Sequence, residues 1–184
     1  MVATRKIIVH IATSADGFIA RRDGSVDWLD SPHLKGDYGL GAFYKSIDTI
    51  LWGRKTYDMA LDFQKKGVAG SAFDTTVKNY VFSRSPLQSP APAGVELVTE
   101  PIKSFATRLR NTNGKDVWMM GGGGIIASFL DEGEIDEFVI HVIPTFIGEG
   151  IPLIAPSRRT LLLNLISCTK FPDGVVELHY ALNK

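Results

Sequence analysis

Several features are scarce or missing in this 184-residue chain, and each absence narrows the field. It has one cysteine, Cys168, so no internal disulfide can form. Cys168 falls in a strand-like stretch, where a buried structural thiol is expected rather than a nucleophile. Neither sign of charge is in excess, since Lys plus Arg and Asp plus Glu number 20 each. Nucleic-acid modules are normally basic, so no nucleic-acid partner is expected. No apolar run approaches the roughly 20 residues that span a bilayer. The opening Met1-Val2-Ala3-Thr4-Arg5-Lys6 lacks the layout of a secretory signal. A cytoplasmic protein with no membrane partner is the expectation. His10 and His141 sit on apparent strands and read as core-facing, and no cluster has metal-ligand spacing. The nucleotide signatures Gly-x-Gly-x-x-Gly after the first strand and Gly-x-x-x-x-Gly-Lys-[Ser/Thr] are both missing. So is the zinc-deaminase pattern His-x-Glu with Pro-Cys-x-x-Cys. There is no linker, repeat or low-complexity stretch, and the length suits one domain over 1–184.

What is present begins with four consecutive glycines, Gly121 to Gly124. They separate the apolar run Asp116-Val117-Trp118-Met119-Met120 from the helix-like Ile125-Ile126-Ala127-Ser128-Phe129-Leu130. Glycine lets a backbone approach another group with no side chain between. A strand that ends in bare backbone before a helix builds an anion site from free N–H groups and the helix dipole. The other account is a flexible loop or tight turn. A second turn has the same design: Ile50-Leu51-Trp52, then Gly53-Arg54-Lys55-Thr56 opening a helix. Cations at a helix start oppose the dipole, which tips Arg54 and Lys55 toward anion binding. A third strand, Tyr80-Val81-Phe82, ends in Ser83-Arg84-Ser85, which by itself could be a polar surface turn.

The elements alternate. Strands are expected at Lys6–Thr13, Thr49–Trp52, Asn79–Ser83, Val95–Thr99 and Asp116–Met120. Helices are expected at Leu40–Ile47, Lys55–Phe63, from Pro101 to the stop at Asn113-Gly114, and at Gly123–Asp131. After Glu134 only strands follow: Phe138–Ile143, Thr160–Thr169 and Val175–Leu182, the last two joined by the turn Phe171-Pro172-Asp173-Gly174. This predicts an α/β fold with a mostly parallel sheet and antiparallel strands at one edge. In such sheets ligands bind beyond the carboxyl ends of the strands. Three anion-friendly turns there suit a long, multiply anionic ligand, such as a dinucleotide with an extra phosphate.

Five segments in order carry a resemblance to a known family. They are Ile11-Ala12-Thr13-Ser14-Ala15-Asp16-Gly17-Phe18-Ile19, Asp27-Trp28-Leu29, Trp52-Gly53-Arg54-Lys55-Thr56-Tyr57, Val81-Phe82-Ser83-Arg84 and Met120-Gly121-Gly122-Gly123-Gly124. Together they resemble the dihydrofolate reductase superfamily, in the branch of the C-terminal reductase domain of bacterial riboflavin-biosynthesis deaminase-reductases. The resemblance covers nearly the whole chain and implies a three-layer fold and NADPH as cofactor. It implies that Ala12 and Ile19 hold the nicotinamide carboxamide through backbone groups. Gly53, Arg54, Lys55 and Thr56 would take the pyrophosphate and 2′-phosphate, with Arg54 on the latter. Ser83 and Arg84 would line the adenosine end, and Gly121, Gly122, Gly123, Gly124 and Ile125 would pass under the pyrophosphate and ribose. Gly124 stands where the family often has a basic residue, so Arg54 and Arg84 must carry the 2′-phosphate.

On the substrate side the resemblance places Trp28 over the active site and Asp37 near the carboxylate that supports protonation. Read from the residues alone, Trp28 could simply pin its loop and Asp37 could cap the following helix. Glu149, in the loop Ile143–Leu153 that borders the family's pocket, is more simply a surface acid. The implied reaction is hydride transfer to a small pterin- or pyrimidine-like heterocycle. Narrower is the riboflavin-pathway reduction of 5-amino-6-(5-phosphoribosylamino)uracil. That substrate needs its own phosphate site, for which Lys35 and Ser157-Arg158-Arg159 are the spare basic candidates. A non-catalytic NADPH-binding protein is the alternative of another class. The family's habit of pairing through its β-rich end implies a homodimer.

Overall fold

The structure is a computed structural model that describes residues 5–67, 74, 76–87 and 91–183. The opening segment 1–4 and residues 88–90 of the proline-bearing loop lie outside the described residues. Among the described residues, ten strands and four α-helices run in the order β1 (Ile7–Ser14), β2 (Phe18–Ala20), α1 (Leu40–Ser46), β3 (Ile47–Gly53), α2 (Arg54–Lys65), β4 (Lys78–Phe82), β5 (Val95–Val98), α3 (Ile102–Arg110), β6 (Asp116–Gly121), α4 (Gly123–Asp131), β7 (Glu137–Ile143), β8 (Ile151–Pro152), β9 (Leu163–Lys170) and β10 (Val176–Leu182). A short 3-10 turn, Asp27–Leu29, interrupts the loop after β2.

Eight strands form one sheet in the order β5-β4-β3-β6-β1-β7-β10-β9. The first six are parallel and the last two antiparallel, as the change of pattern after Glu134 predicted. The parallel strands are buried on both faces because helices cover both. On one face Ile7, Val9, Leu51, Val117 and Met119 pack with Phe105, Leu109, Ile126 and Phe129 of α3 and α4. On the other, Ile50, Trp52, Val81 and Trp118 pack with Tyr57 of α2 and with Phe43 and Tyr44 of α1. These are the three layers.

The helix after Pro101 ends at Arg110, three residues before the expected Asn113-Gly114 stop. Gly114 instead makes room for an ion pair, since a Cβ there would lie 2.5 Å from Asp48 and 2.8 Å from the Arg5 guanidinium. Arg5, 4% exposed, pairs with Asp48 and donates to the Lys115 carbonyl and to Thr49. Arg110 pairs with Asp136 at 2.8 Å. Partly buried ion pairs thus tie the amino-terminal ends of the strands, while the glycine turns lie at their carboxyl ends.

Two expectations need correction. The β9 stretch begins at Leu163 rather than Thr160. Cys168 is exposed, not buried. The cause is position: β9 is the last strand of the sheet and all eight of its residues are exposed. An alternating apolar pattern identifies a strand, but not whether anything covers it.

Candidate functional site

Parallel pairing brings the carboxyl ends of β1, β3, β4 and β6 to one edge of the sheet, so the three anion-friendly turns become neighbours. Gly53 ends β3 and caps α2. A Cβ at Gly53 would lie 3.0 Å from Ile125 and 3.2 Å from the Gly121 carbonyl, so the first two turns touch. Gly121 and Gly122 have φ of +126° and +100°, conformations that side-chain-bearing residues rarely adopt. A Cβ at Gly122 would lie 2.9 Å from Thr56 Oγ1. Gly123 serves another purpose. Its Cβ would meet the Pro152 carbonyl at 2.4 Å, and its own carbonyl accepts from Ala155 N–H at 3.0 Å. Gly124 faces open space, with nothing within 4 Å of a Cβ.

The third turn is joined to the second by Arg54. Its Nη1 donates to the Pro86 carbonyl at 2.9 Å and reaches Ser83 Oγ and the Ser85 carbonyl at 3.4 Å. Its Nε donates to Asp58 at 2.8 Å. Arg54 therefore has an i,i+4 partner that offsets its unfavourable place at the helix start, and a role in stability alone is open to it. Ser83 Oγ donates to the Ser85 carbonyl at 2.8 Å and accepts from Ser85 N–H at 3.1 Å, closing the turn on itself. Lys55 and Arg84 are exposed beside these turns.

At the end of β1, Ala12 is half-buried and Ile19 lies on β2, which pairs with β8. The loop after β1 is latched by Asp16, whose carboxylate accepts from Gly148 N–H at 2.7 Å and Ile147 N–H at 3.2 Å. Hydrogen bonding to Ser14 and to these two amides holds the Asp16 carboxyl below its ordinary pKa. Trp28 is 6% exposed and packs with Ile143, Val175 and Ala12. Its indole N–H is buried without a hydrogen-bond partner. A buried unmatched donor costs about 1–3 kcal/mol, so a Trp here in place of Phe points to a guest acceptor or an ordered water.

Asp37 is exposed and accepts from Gly39 N–H at 3.1 Å and Gly41 N–H at 3.3 Å, at the start of α1. Glu149 is exposed and pairs with Arg22 at 2.8 Å, as a surface acid would. Of the spare basic candidates, Arg159 pairs with Asp131 at the far end of α4 at 2.7 Å and is not among the site loops. Lys35 is exposed, its backbone N–H on Asp173 at 3.4 Å.

Sequence reasoning set His10 and His141 aside as core residues. Both are buried, with ring centroids 4.9 Å apart, and His141 pairs with Ala12 across the β1–β7 ladder. His141 Nε2 lies 3.0 Å from the Tyr38 carbonyl and 3.1 Å from Glu177. Tyr38, at φ +49°, is the one described non-glycine residue with positive φ. This array lies under the loop that carries Asp37. Only a signal linking residue 10 to 141 and 177 could have found it, and the three are far apart in the chain.

The layers, the switch from parallel to antiparallel strands and the glycine-lined edge define a dihydrofolate-reductase-like α/β domain. The chain belongs to the family described as the RibD C-terminal domain, whose model matches residues 5–177. It is 38% identical over 177 residues to the uncharacterized protein YwjB of Bacillus subtilis, covering 96% of this chain and 97% of that one. It is 26% identical to the riboflavin biosynthesis protein RibD of Corynebacterium ammoniagenes, covering 91% of this chain and 52% of the relative. Among solved structures, a putative riboflavin biosynthesis protein from Shewanella sp. PV-4 superposes with a TM-score of 0.83 at 29% identity, over 97% of this chain and 99% of that one. Among the described residues no helix is long and apolar enough to cross a membrane, and no group of three or more His, Cys, Asp or Glu could hold a metal.

Proposed function

We propose that this chain is an NADPH-dependent reductase acting on a small planar heterocycle of pyrimidine-like or pterin-like chemistry. The observation that carries the proposal is the joining of three strand-end turns into one cradle. Gly53 meets Gly121, Thr56 fills the space beside Gly122, and Arg54 reaches the loop after β4.

The residues present fit the cofactor. Gly121 and Gly122 offer bare backbone, and Gly124 opens onto free space beside the start of α4. The first-turn N–H groups of α2 and α4 suit a pyrophosphate. Arg54, Lys55 and Arg84 are the cations for a 2′-phosphate, with Ser83 beside them. Ala12 and Ile19 would hold the nicotinamide through backbone groups. When bound, the cofactor supplies a hydride from C4 of its nicotinamide to an unsaturated carbon of the substrate.

The chain's own contribution is to orient the substrate and to hold a proton for the atom left negative. Asp37, exposed at the start of α1, is the assigned proton source, and Trp28 is the assigned donor to the heterocycle. In free protein Asp37 accepts from the Gly39 and Gly41 amides at the start of α1, so its role as an acid requires one of those bonds to yield. A narrower reading, reduction of a phosphorylated ribosylaminopyrimidine, is favoured by the riboflavin-pathway relative from Corynebacterium.

The test is a direct titration with NADPH and NADH, followed by NADPH oxidation with a panel of pterins, pyrimidines and the phosphorylated ribosylaminopyrimidine. Tight NADPH binding with oxidation by one class supports the proposal. No binding of either cofactor overturns it. Binding without oxidation across the panel replaces it with a non-catalytic NADPH-binding protein.

A further inference from the structure

Tyr38 has φ +49° and the next residue, Gly39, has φ +81°. A glycine at position 38 would take that conformation without strain, whereas a side chain is crowded there. What the tyrosine side chain touches accounts for its presence. Its hydroxyl donates to the Asp173 carboxylate, in the turn between β9 and β10. Its ring meets Phe171 edge to face at 5.1 Å, and a Cβ on Gly36 would lie 2.8 Å from that ring. Asp173 also accepts from Lys35 N–H at 3.4 Å, and the bond from Tyr38 holds its carboxyl below the ordinary pKa.

The Tyr38 backbone is held from the sheet as well. His141 is buried, and its Nε2 lies 3.0 Å from the Tyr38 carbonyl and 3.1 Å from a Glu177 carboxylate oxygen. Both partners are acceptors, so Nε2 carries the hydrogen and donates to them. The row that supplies this donor crosses three strands: Ala12 of β1 beside His141 of β7 beside Glu177 of β10. Ala12 is the residue assigned to the nicotinamide, so one row of the sheet carries both that contact and the donor to Tyr38. Asp37 directly precedes Tyr38 and bonds the Gly39 and Gly41 amides. Its place is therefore set by the turn through Tyr38 and Gly39.

We propose that His141 is a positioning residue for the reduction, an inference that rests on the reading of Asp37 as the proton source. Glu177 orients the imidazole, the imidazole N–H fixes the Tyr38 carbonyl, and Asp173 fixes the hydroxyl at the far end of the same residue. Asp37, exposed on its loop, is thereby held in register with the strands that carry the nicotinamide contact. A displacement of about 1 Å in a reacting group costs about a hundredfold in rate, so an acid on a surface loop needs such a hold. His141 itself touches no reacting atom; it acts through Tyr38.

The experiment compares His141→Gln with His141→Asn in the full chain. The Gln amide nitrogen reaches about as far as imidazole Nε2, whereas the Asn amide stops short of the Tyr38 carbonyl. Hydrogen exchange at the Gly39 and Gly41 amides reads the hold without any substrate. His141→Asn is expected to speed both by about tenfold relative to the amides of β7, and His141→Gln to leave them near wild type. Tyr38→Phe removes the other hold from a half-buried side chain; it is expected to speed the same two amides and decides the matter if His141→Asn does not fold. Turnover is followed as NADPH oxidation with the pterin or pyrimidine that gives the fastest rate. His141→Asn is expected to lower kcat about ten- to hundredfold with KM and NADPH affinity near wild type, and His141→Gln to restore most of it. Added to Asp37→Asn, it should slow the enzyme no further, because both changes act on one group. Unchanged exchange at Gly39 and Gly41, equal losses in the Gln and Asn variants, or losses that multiply with Asp37→Asn would each overturn the inference while leaving Asp37 as the acid. A full rate in Asp37→Asn, or no turnover with any of the compounds, would remove the reading of Asp37 and this inference with it.

Discussion

The Thr56 hydroxyl occupies the space that a side chain on Gly122 would need, with Oγ1 lying 2.9 Å from where the Cβ would be. The start of α2 and the start of α4 are thus set side by side, and their two first turns face one prospective ligand. Gly122 also has φ +100°, so it is constrained twice. Gly124, two residues on, is constrained by neither.

That contrast separates folding from binding. Gly122→Ala is expected to destabilise the fold by about 1–3 kcal/mol from backbone strain, so it alters the fold and the cradle together. Gly124→Ala meets no protein atom and should stabilise α4 by up to about 1 kcal/mol. If Gly124 borders the cofactor, the same variant weakens NADPH by about tenfold or more while its melting temperature holds or rises. Thermal melts and NADPH titration on one sample check this, and unchanged affinity would remove Gly124 from the site.

Arg54 has both a structural partner and an assigned ligand. Arg54→Ala is expected to weaken NADPH about ten- to hundredfold more than NADH, because only NADPH loses a charge-assisted contact. Asp58→Asn keeps the guanidinium and loosens its tether, so NADPH affinity should hold or improve. Equal losses for both cofactors with Arg54→Ala would leave this residue as the link between α2 and the loop after β4 and no more.

Trp28 and Asp37 are distinguished by what each substitution spares. Trp28→Phe removes a buried donor without a partner, so the free protein should lose no stability and can gain about 1 kcal/mol. If the N–H serves the substrate, KM rises while NADPH affinity is unchanged. Asp37→Asn should slow turnover with little change in KM. An unaltered rate on an identified substrate would leave Asp37 as the cap of α1.

Burial and the neighbouring His141 push the His10 imidazole down to about 4 from its ordinary 6.5. Its folded-state pKa is depressed, so the unfolded chain takes up the proton first. Stability is therefore complete above about pH 6.5 and falls as pH drops toward 4, by up to about 3 kcal/mol from this group. His10→Gln should flatten that part of the pH–stability curve in urea unfolding. An unchanged slope would show that the carboxylates account for it.

Much was legible in local pattern. The spacing of Phe105 and Leu109 gave α3, the bounds of α4 were read to the residue, and the loss of helical periodicity after Glu134 placed the antiparallel strands. The glycine run was visible as a turn of bare backbone between strand and helix because a φ above zero and close backbone approach leave their mark in residue type. What one chain could not reveal was division of labour within that run. Gly123 is glycine because the Pro152 carbonyl passes 2.4 Å from its missing Cβ, a contact between segments brought together by β2 and β8.

The sequence by itself determined the order of elements, the sheet's change of direction and the residue types at each turn, because these follow from short-range sterics and hydrophobic period. Only the tertiary structure decided which turns meet, that Arg54 reaches the loop after β4, that His10 and His141 lie together, and that Cys168 is exposed. Each of those depends on strand order and on what covers a face. Strand order is fixed by packing between residues distant in the chain, and no local pattern records it.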